Sequence, residues 1–149
     1  MEIMLFLQTY RAGFIVVDIT DLKNPRLVSE TRTTGMAKGL CRTETGQTKT
    51  PYVLVVDYRG IQVIDISDIS KPVIAGSYED LKNAESITAS GSNAFVADYN
   101  LGVVQLDITE ITKPVFVQSF DTGKTNDVFL YEGYIFAASD KDFSSFKIE

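Results

Sequence analysis

The apolar residues of this chain fall in short runs separated by turns that are rich in Gly, Asp, Asn and Pro. Runs such as FIVVDIT (14–20) and YIFAASD (134–140) are enriched in β-branched and aromatic residues, which is typical of strands. No useful window has apolar residues at the helical period of about 3.6. The pattern therefore predicts an all-β protein, with fourteen strands along the chain.

Several of these runs are apolar at successive positions, for example YVLVV (52–56). An antiparallel sheet with one wet face would show alternation instead, so these strands must be covered on both faces. A β-propeller-like stack of four-stranded antiparallel blades provides that cover, because each sheet hides the next. A β-sandwich is the alternative, since short strands in this number would also fill one.

One segment occurs three times in near copy, which indicates a repeat architecture. DYRGIQVIDISDISKP (57–72) resembles TYRAGFIVVDITDLKNP (9–25) and DYNLGVVQLDITEITKP (98–114), with steps of 47 and 42 residues between the matching glycines. The matching residues are Gly13, Gly60 and Gly102; Asp18, Asp65 and Asp107; and Pro25, Pro72 and Pro114.

The repeats divide the chain into units at about 1–37, 38–84, 85–126 and 127–149. With the strands of a full unit named a to d in chain order, the units read b-c-d, a-b-c-d, a-b-c-d and a-b-c, or about 3.5 repeats. The second unit has a net insertion of five residues, which we place in a polar loop at 44–47. We expect a fragment of a larger propeller, one ring completed by two chains, or a tight four-bladed closure.

The repeated residues have structural interpretations. A glycine ends each hairpin turn, and a proline belongs at a strand start or a sheet edge, which makes the strand after it outermost. Asp18, Asp65 and Asp107 interrupt apolar strands, so we expect buried carboxylates that accept hydrogen bonds from backbone N–H groups or hydroxyls. The alternative is a ring of carboxylates that binds a cation around a channel.

Three further aspartates, Asp57, Asp98 and Asp140, open the turns between strands b and c. An aspartate at a turn start accepts a hydrogen bond from the backbone two residues later, which is a sufficient reason for its presence. The tyrosines near these turns are predicted to pack against the next blade, and the alternative is an aromatic surface for sugar or peptide. They are Tyr10, Tyr58 and Tyr99.

The variable positions supply the candidate ligand site. Lys38, Glu85 and Asp127 are spaced by the repeat, at the start of each strand a, where a propeller has its channel mouth. A cation beside two carboxylates could hold a ligand or position a proton. A solvated rim of mixed charge is the structural alternative.

Composition narrows the function classes. The net charge is −6 and no run of Lys or Arg is present, which disfavours nucleic acid and anionic membrane as partners. No apolar segment reaches the length of about 20 residues that membrane insertion needs, and the first residues lack the positive charge of a signal peptide. The absence of histidine excludes Ser–His and Cys–His nucleophiles and imidazole metal sites. Cys41, the single cysteine, is predicted to be a buried apolar residue.

The units VVDYRGIQVIDISDISKPVIAGSY and VADYNLGVVQLDITEITKPVFVQSF resemble LVIVD repeats. This family occurs in bacterial and archaeal proteins, many of them exported or at the cell surface. The resemblance implies a propeller-type fold that presents surfaces, and it implies no reaction. A surface or secreted location would follow from it if the chain is a fragment.

We therefore expect a non-enzymatic binding or scaffolding module without a cofactor, a metal or a catalytic residue. Its partner would be a protein or a second copy of itself, bound through loops or by strand addition, with saccharide as the second choice. Two alternatives remain. One is a propeller hydrolase or lyase that uses Glu85 and Asp127 with Lys38, and the other is a purely structural segment of a surface protein.

Overall fold

The structure of the protein is a computed structural model, which describes residues 2–45 and 50–148. The described residues form fourteen strands and no helix, arranged in four sheets in chain order. Sheet I contains β1 (Met4–Thr9), β2 (Gly13–Asp18) and β3 (Arg26–Thr31). Sheet II contains β4 (Gly39–Thr45), β5 (Thr50–Asp57), β6 (Gly60–Asp65) and β7 (Val73–Tyr78). Sheet III contains β8 (Ala84–Ser90), β9 (Asn93–Asp98), β10 (Gly102–Asp107) and β11 (Val115–Phe120), and sheet IV contains β12 (Thr125–Tyr131), β13 (Tyr134–Ser139) and β14 (Phe143–Lys147).

Every sheet is an antiparallel meander in which neighbours in sequence are neighbours in space. The predicted strand series, with strand a missing from the first unit and strand d missing from the last, is confirmed by this order. Strands β3, β7 and β11 are sheet edges, and each begins directly after one of the repeated prolines. The loop predicted at 44–47 falls partly on 46–49, which lie outside the described residues.

The four sheets stack face to face through three separate hydrophobic clusters. Val53 and Leu54 are adjacent in β5 and both fully buried, because one packs toward sheet I and the other toward sheet III. A two-layered sandwich would leave one face of each sheet open, whereas both faces of sheets II and III are covered. The interfaces are formed by Phe14 and Val16 with Val53 and Val55, by Leu54 and Val56 with Val96 and Leu106, and by Phe95 and Ala97 with Ile135 and Ala137.

The stack is propeller-like because the first strands of sheets II, III and IV, β4, β8 and β12, contact one another in turn. It does not close on itself. Leu5 on the outer face of sheet I is 40% exposed, and Phe129 on the outer face of sheet IV is 61% exposed. The four-bladed closure considered from the sequence is therefore not formed.

The repeated glycines are required by a close approach between the b–c turn and the end of strand d. A Cβ atom on Gly60 would stand 1.8 Å from the carbonyl oxygen of Tyr78, the last residue of β7. At Gly102 the distance to the carbonyl oxygen of Phe120 would be 2.2 Å, and φ is +82°. Only a residue without a Cβ fits there.

We expect Gly60→Ala to lower the free energy of unfolding by about 3 kcal/mol, because a methyl group cannot enter this contact without moving backbone. Gly91→Ala is the matched control, since nothing lies within 4 Å of its Cβ position. Its φ of +55° alone should cost about 1 kcal/mol. Urea unfolding of both variants measures the difference, and equal losses would contradict the steric explanation.

Candidate functional site

The aspartates Asp18, Asp65 and Asp107 are the last residues of β2, β6 and β10, and none of them is buried. The expectation of buried carboxylates is therefore wrong, because each strand reaches solvent at this residue. The expected hydrogen bonding is present, since each carboxylate accepts the N–H two residues later. The bonds run from Thr20 N to Asp18 (2.9 Å), from Ser67 N to Asp65 (2.8 Å) and from Thr109 N to Asp107 (2.7 Å).

These hydrogen bonds favour the charged form of the carboxylate. The hydroxyl and N–H of Thr109 hold the pKa of Asp107 below its ordinary value. The hydroxyl and N–H of Thr20, together with the side chain of Arg26 at 2.9 Å, do the same for the pKa of Asp18. Because the folded-state pKa is lowered, this stabilisation is present above about pH 4 and is lost as the pH falls through the folded value.

Asp98, at the end of β9, is a fully buried carboxylate. Its Oδ1 accepts the N–H groups of Asn100 (2.8 Å) and Leu101 (3.0 Å) in the b–c turn. Its Oδ2 accepts the N–H groups of Lys82 (2.8 Å) and Asn83 (2.9 Å), in the connection from β7 to β8. One carboxylate therefore fastens the turn of sheet III to the segment by which the chain enters that sheet.

Asp57 is also fully buried, and its carboxylate links the b–c turn of sheet II to Thr34 and Gly35, which precede β4. The predicted turn role of Asp57 and Asp98 is confirmed, but in sheet IV the register puts Ser139 at this position instead of Asp140. In sheet I the equivalent residue is Thr9, whose hydroxyl accepts the N–H of Ala12 at 2.9 Å. The donors to Asp57 are Thr34 Oγ1 (3.1 Å), Gly35 N (3.0 Å), Arg59 N (3.0 Å) and Gly60 N (3.2 Å).

Two of the three candidate ligand residues lie together. Lys38 Nζ donates to Glu85 Oε1 at 2.5 Å and to Asn83 Oδ1 at 3.0 Å, and it lies 5.3 Å from the ring centroid of Tyr58. The side chains of Lys38 and Glu85 are 21% and 25% exposed. The ammonium group thus contacts a carboxylate, an amide oxygen and an aromatic ring. These contacts join sheets II and III where their first strands, β4 and β8, begin.

Asp127 does not occupy the position that its spacing suggested. Ser86 and Asp127 have equivalent partners in the strand register, and Glu85 and Asn126 are the bulged residues just before them. The carboxylate of Asp127 accepts hydrogen bonds from Ser86 Oγ (2.6 Å) and from the N–H of Val128 (2.9 Å). Asn126 is therefore the structural equivalent of Glu85.

The outer face of sheet IV carries five exposed aromatic side chains, and we call it the aromatic end face. The register places them on the same side of β12, β13 and β14, where Phe129, Phe136 and Phe143 line a shallow depression of about 140 Å³. This surface was not among the predicted sites. The aromatics of 129–136 recur at alternate positions of each strand, and that pattern is the sequence signal for a shared sheet face. The residues are Phe129, Tyr131, Tyr134, Phe136 and Phe143, with exposed fractions of 61, 57, 43, 37 and 69%.

The outer face of sheet I is its aliphatic counterpart, and we call it the aliphatic end face. Leu5 and Leu7 lie opposite Val17 and Ile15 in the register of β1 and β2, and Val17 lies opposite Leu27 in β3. Leu27 is 63% exposed. The stack therefore ends in two apolar surfaces, one at each side.

The remaining sequence candidates lie apart from these faces. Lys124 Nζ, just before β12 of sheet IV, lies 5.1 Å from the ring of partly buried Tyr99, just after β9 of sheet III. Tyr58 contacts Lys38 of its own unit and Tyr10 is 65% exposed, so the three tyrosines share no single packing role. Cys41 packs in the cluster between sheets II and III, and burial raises the pKa of its thiol to about 12. At neutral pH it is therefore protonated and a poor nucleophile.

No group of three acidic or cysteine side chains with the spacing of a metal site occurs in the described part of the chain. A helix long and apolar enough to cross a bilayer is likewise not found in residues 2–45 and 50–148. The Lys38–Glu85 ion pair and the two end faces therefore remain as the candidate functional sites.

The LVIVD repeat family matches residues 50–80 and 82–122. The chain thus contains LVIVD repeats. The two matches correspond to strands b to d of sheet II and to all of sheet III, with the connection that leads into it. The resemblance seen in the sequence is confirmed by this match.

A crystal structure of a functionally unknown protein from Desulfotomaculum acetoxidans DSM 771 is similar to this LVIVD-repeat chain, with a TM-score of 0.61 at 10% sequence identity. The similarity covers 95% of this chain and 60% of the other, so this chain spans less than two thirds of the neighbour's length. At that identity the likeness supports the fold alone. No curated protein matches the sequence.

Proposed function

We propose that this LVIVD-repeat chain is a non-enzymatic binding and scaffolding module that holds a protein partner on the aromatic end face. Contiguous exposed apolar patches mark interaction sites in soluble proteins. Aromatic residues are enriched at protein interfaces, because each one contributes a large contact area. Five of them on one sheet face, with Phe143 69% exposed, form the observation that supports the proposal.

The support beneath this face is rigid. Val128, Ile135 and Ala137 point from the other side of sheet IV into the cluster with sheet III and are nearly or fully buried. Side chains on regular strands that are locked by packing present a surface with little ordering cost on binding. A rigid surface of this kind is better suited to a scaffold than to an active site that changes conformation.

The alternative of a hydrolase or lyase needs a carboxylate that is free to transfer a proton. Glu85 is engaged by Lys38 at 2.5 Å, and Asp127 by Ser86 at 2.6 Å. Both groups have structural tasks between neighbouring sheets. The geometry of the three candidates therefore favours a binding role over a catalytic one.

The test is retention of proteins from an extract of the source organism on the immobilised chain. The variant is Phe129→Ser with Phe143→Ser on the aromatic end face, and the control is Val73→Ser with Val115→Ser on the edge strands β7 and β11. Val73 and Val115 are 56% and 61% exposed, so both variants replace two apolar side chains of similar exposed fraction. We expect a partner that wild type and control retain and the face variant loses.

The retained protein is then purified, and its affinity is measured by calorimetry. Removal of aromatic anchors of this kind typically costs about 2 kcal/mol each, so a loss of at least 30-fold in affinity is expected for the face variant. Equal retention by all three chains would contradict the proposal and favour a purely structural segment. Retention of glycans in place of proteins would also contradict it.

A further inference from the structure

The aromatic end face is built like an internal interface of the stack. Phe136 and Ala138 lie 41 residues after Phe95 and Ala97 and hold the same places in the strand register. Phe95 and Ala97 are fully buried because sheet IV packs on them. Phe136 is 37% exposed, since the described chain has no sheet at the corresponding place. Sheet IV thus presents the surface on which a further sheet of this kind would pack.

The aliphatic end face is the other half of such an interface. Leu5 and Leu7 occupy the register positions that Val53 and Val55 hold in sheet II. Val53 and Val55 are fully buried against sheet I. Leu5 and Leu7 remain 40% and 38% exposed. Sheets II and III each pack on the preceding sheet through this face. In sheet I the same face is exposed.

A second copy of the chain carries the matching half of each end face. We propose that two copies associate with sheet IV of each against sheet I of the other. Each contact would repeat a packing mode that the chain already builds three times, between sheets I and II, II and III, and III and IV. Four sheets from each copy would give a two-fold ring of eight, within the size range of propellers of about 4 to 8 blades.

This inference rests on the proposed function, because it identifies the partner of the aromatic end face. The test is the absolute mass of the intact chain by light scattering after gel filtration, at concentrations of about 1 to 100 μM. We expect twice the chain mass of 16.5 kDa. Phe136→Asp on the aromatic face and Leu5→Asp on the aliphatic face should each give a monomer. Val73→Asp, on the exposed edge strand β7, should leave the dimer intact.

Circular dichroism checks that each variant is folded. If either substitution unfolds the chain, Tyr131→Lys and Leu27→Lys replace them, since these side chains are 57% and 63% exposed. An equimolar mixture of the Phe136→Asp and Leu5→Asp chains should recover a two-chain species. The intact aromatic face of the second chain then meets the intact aliphatic face of the first, while the other contact is lost.

A wild-type monomer at 100 μM would overturn the proposal. So would a dimer sensitive to only one of the two variants, because that result indicates contact between like faces, or a ladder of larger masses, which indicates an open chain of copies. A monomer that still retains another protein through the aromatic face would end the second-copy inference alone. A chain that neither dimerises nor retains a protein would end the proposed function as well.

Discussion

Asp98→Ala is expected to lower the free energy of unfolding by about 4 kcal/mol. The carboxylate of Asp98 is fully buried and accepts four backbone hydrogen bonds. Each such bond contributes about 1 kcal/mol net, so the loss of all four accounts for a value of about 4 kcal/mol. The loss therefore affects both the turn of sheet III and the connection that enters the sheet.

Two controls isolate the buried bonds in urea unfolding at pH 7. Asp107→Ala removes a repeated but exposed carboxylate, which accepts the N–H of Thr109, and should cost much less than Asp98→Ala because water can replace the lost hydrogen bonds. Asp98→Asn keeps one acceptor oxygen but turns an amide NH₂ toward two N–H groups, so it should lie closer to the alanine variant than to wild type. Similar losses for Asp98→Ala and Asp107→Ala would show that the four bonds do not stabilise the fold.

The fold could be predicted because packing on both faces leaves a direct mark on the sequence. Val53 and Leu54 are successive apolar residues, and the structure buries them against different sheets. The repeated Gly60 marks a turn that only a residue without a Cβ can form beside Tyr78. Since each repeat builds one sheet by the same means, a pattern recognised once predicts the other sheets.

The burial of the repeated aspartates could not be predicted in the same way. Asp98 and Asp107 each recur in neighbouring repeats, yet one is buried and the other is exposed. Asp98 lies under the connection from β7, which supplies the N–H groups of Lys82 and Asn83, whereas β10 ends in solvent. The difference depends on where another segment of the chain passes, and no local pattern encodes that.

The candidate ligand set failed at one residue for a related reason. The step of 42 residues holds from Gly60 to Gly102, but the b–c turn before Gly102 is one residue longer than the turn before Gly60. Positions in strands a and b therefore do not follow the 42-residue step of the glycines. As a result Asn126, and not Asp127, is equivalent to Glu85. Insertions within a turn change the phase of a repeat, so spacing alone places a side chain only to within one residue.

Phe95→Ala and Phe136→Ala should differ strongly in their effect on stability, although the two residues hold equivalent positions 41 residues apart. Phe95 is fully buried between sheets III and IV, so its truncation leaves a cavity and should cost about 3 to 5 kcal/mol. Phe136 is 37% exposed, and its truncation should cost under about 1 kcal/mol in a monomer.

Both substitutions are measured by urea unfolding in the Leu5→Asp background, where association between copies does not contribute. The value for Phe136→Ala is then measured again in the otherwise wild-type chain at about 100 μM. There the loss should grow, because the side chain is buried by the second copy and unfolding is coupled to dissociation. A loss for Phe136→Ala that is equally small in both backgrounds would mean that nothing covers the aromatic end face. A loss as large as that for Phe95→Ala in the monomeric background would mean that sheet IV packs differently from the structure, because an exposed ring cannot leave a buried cavity.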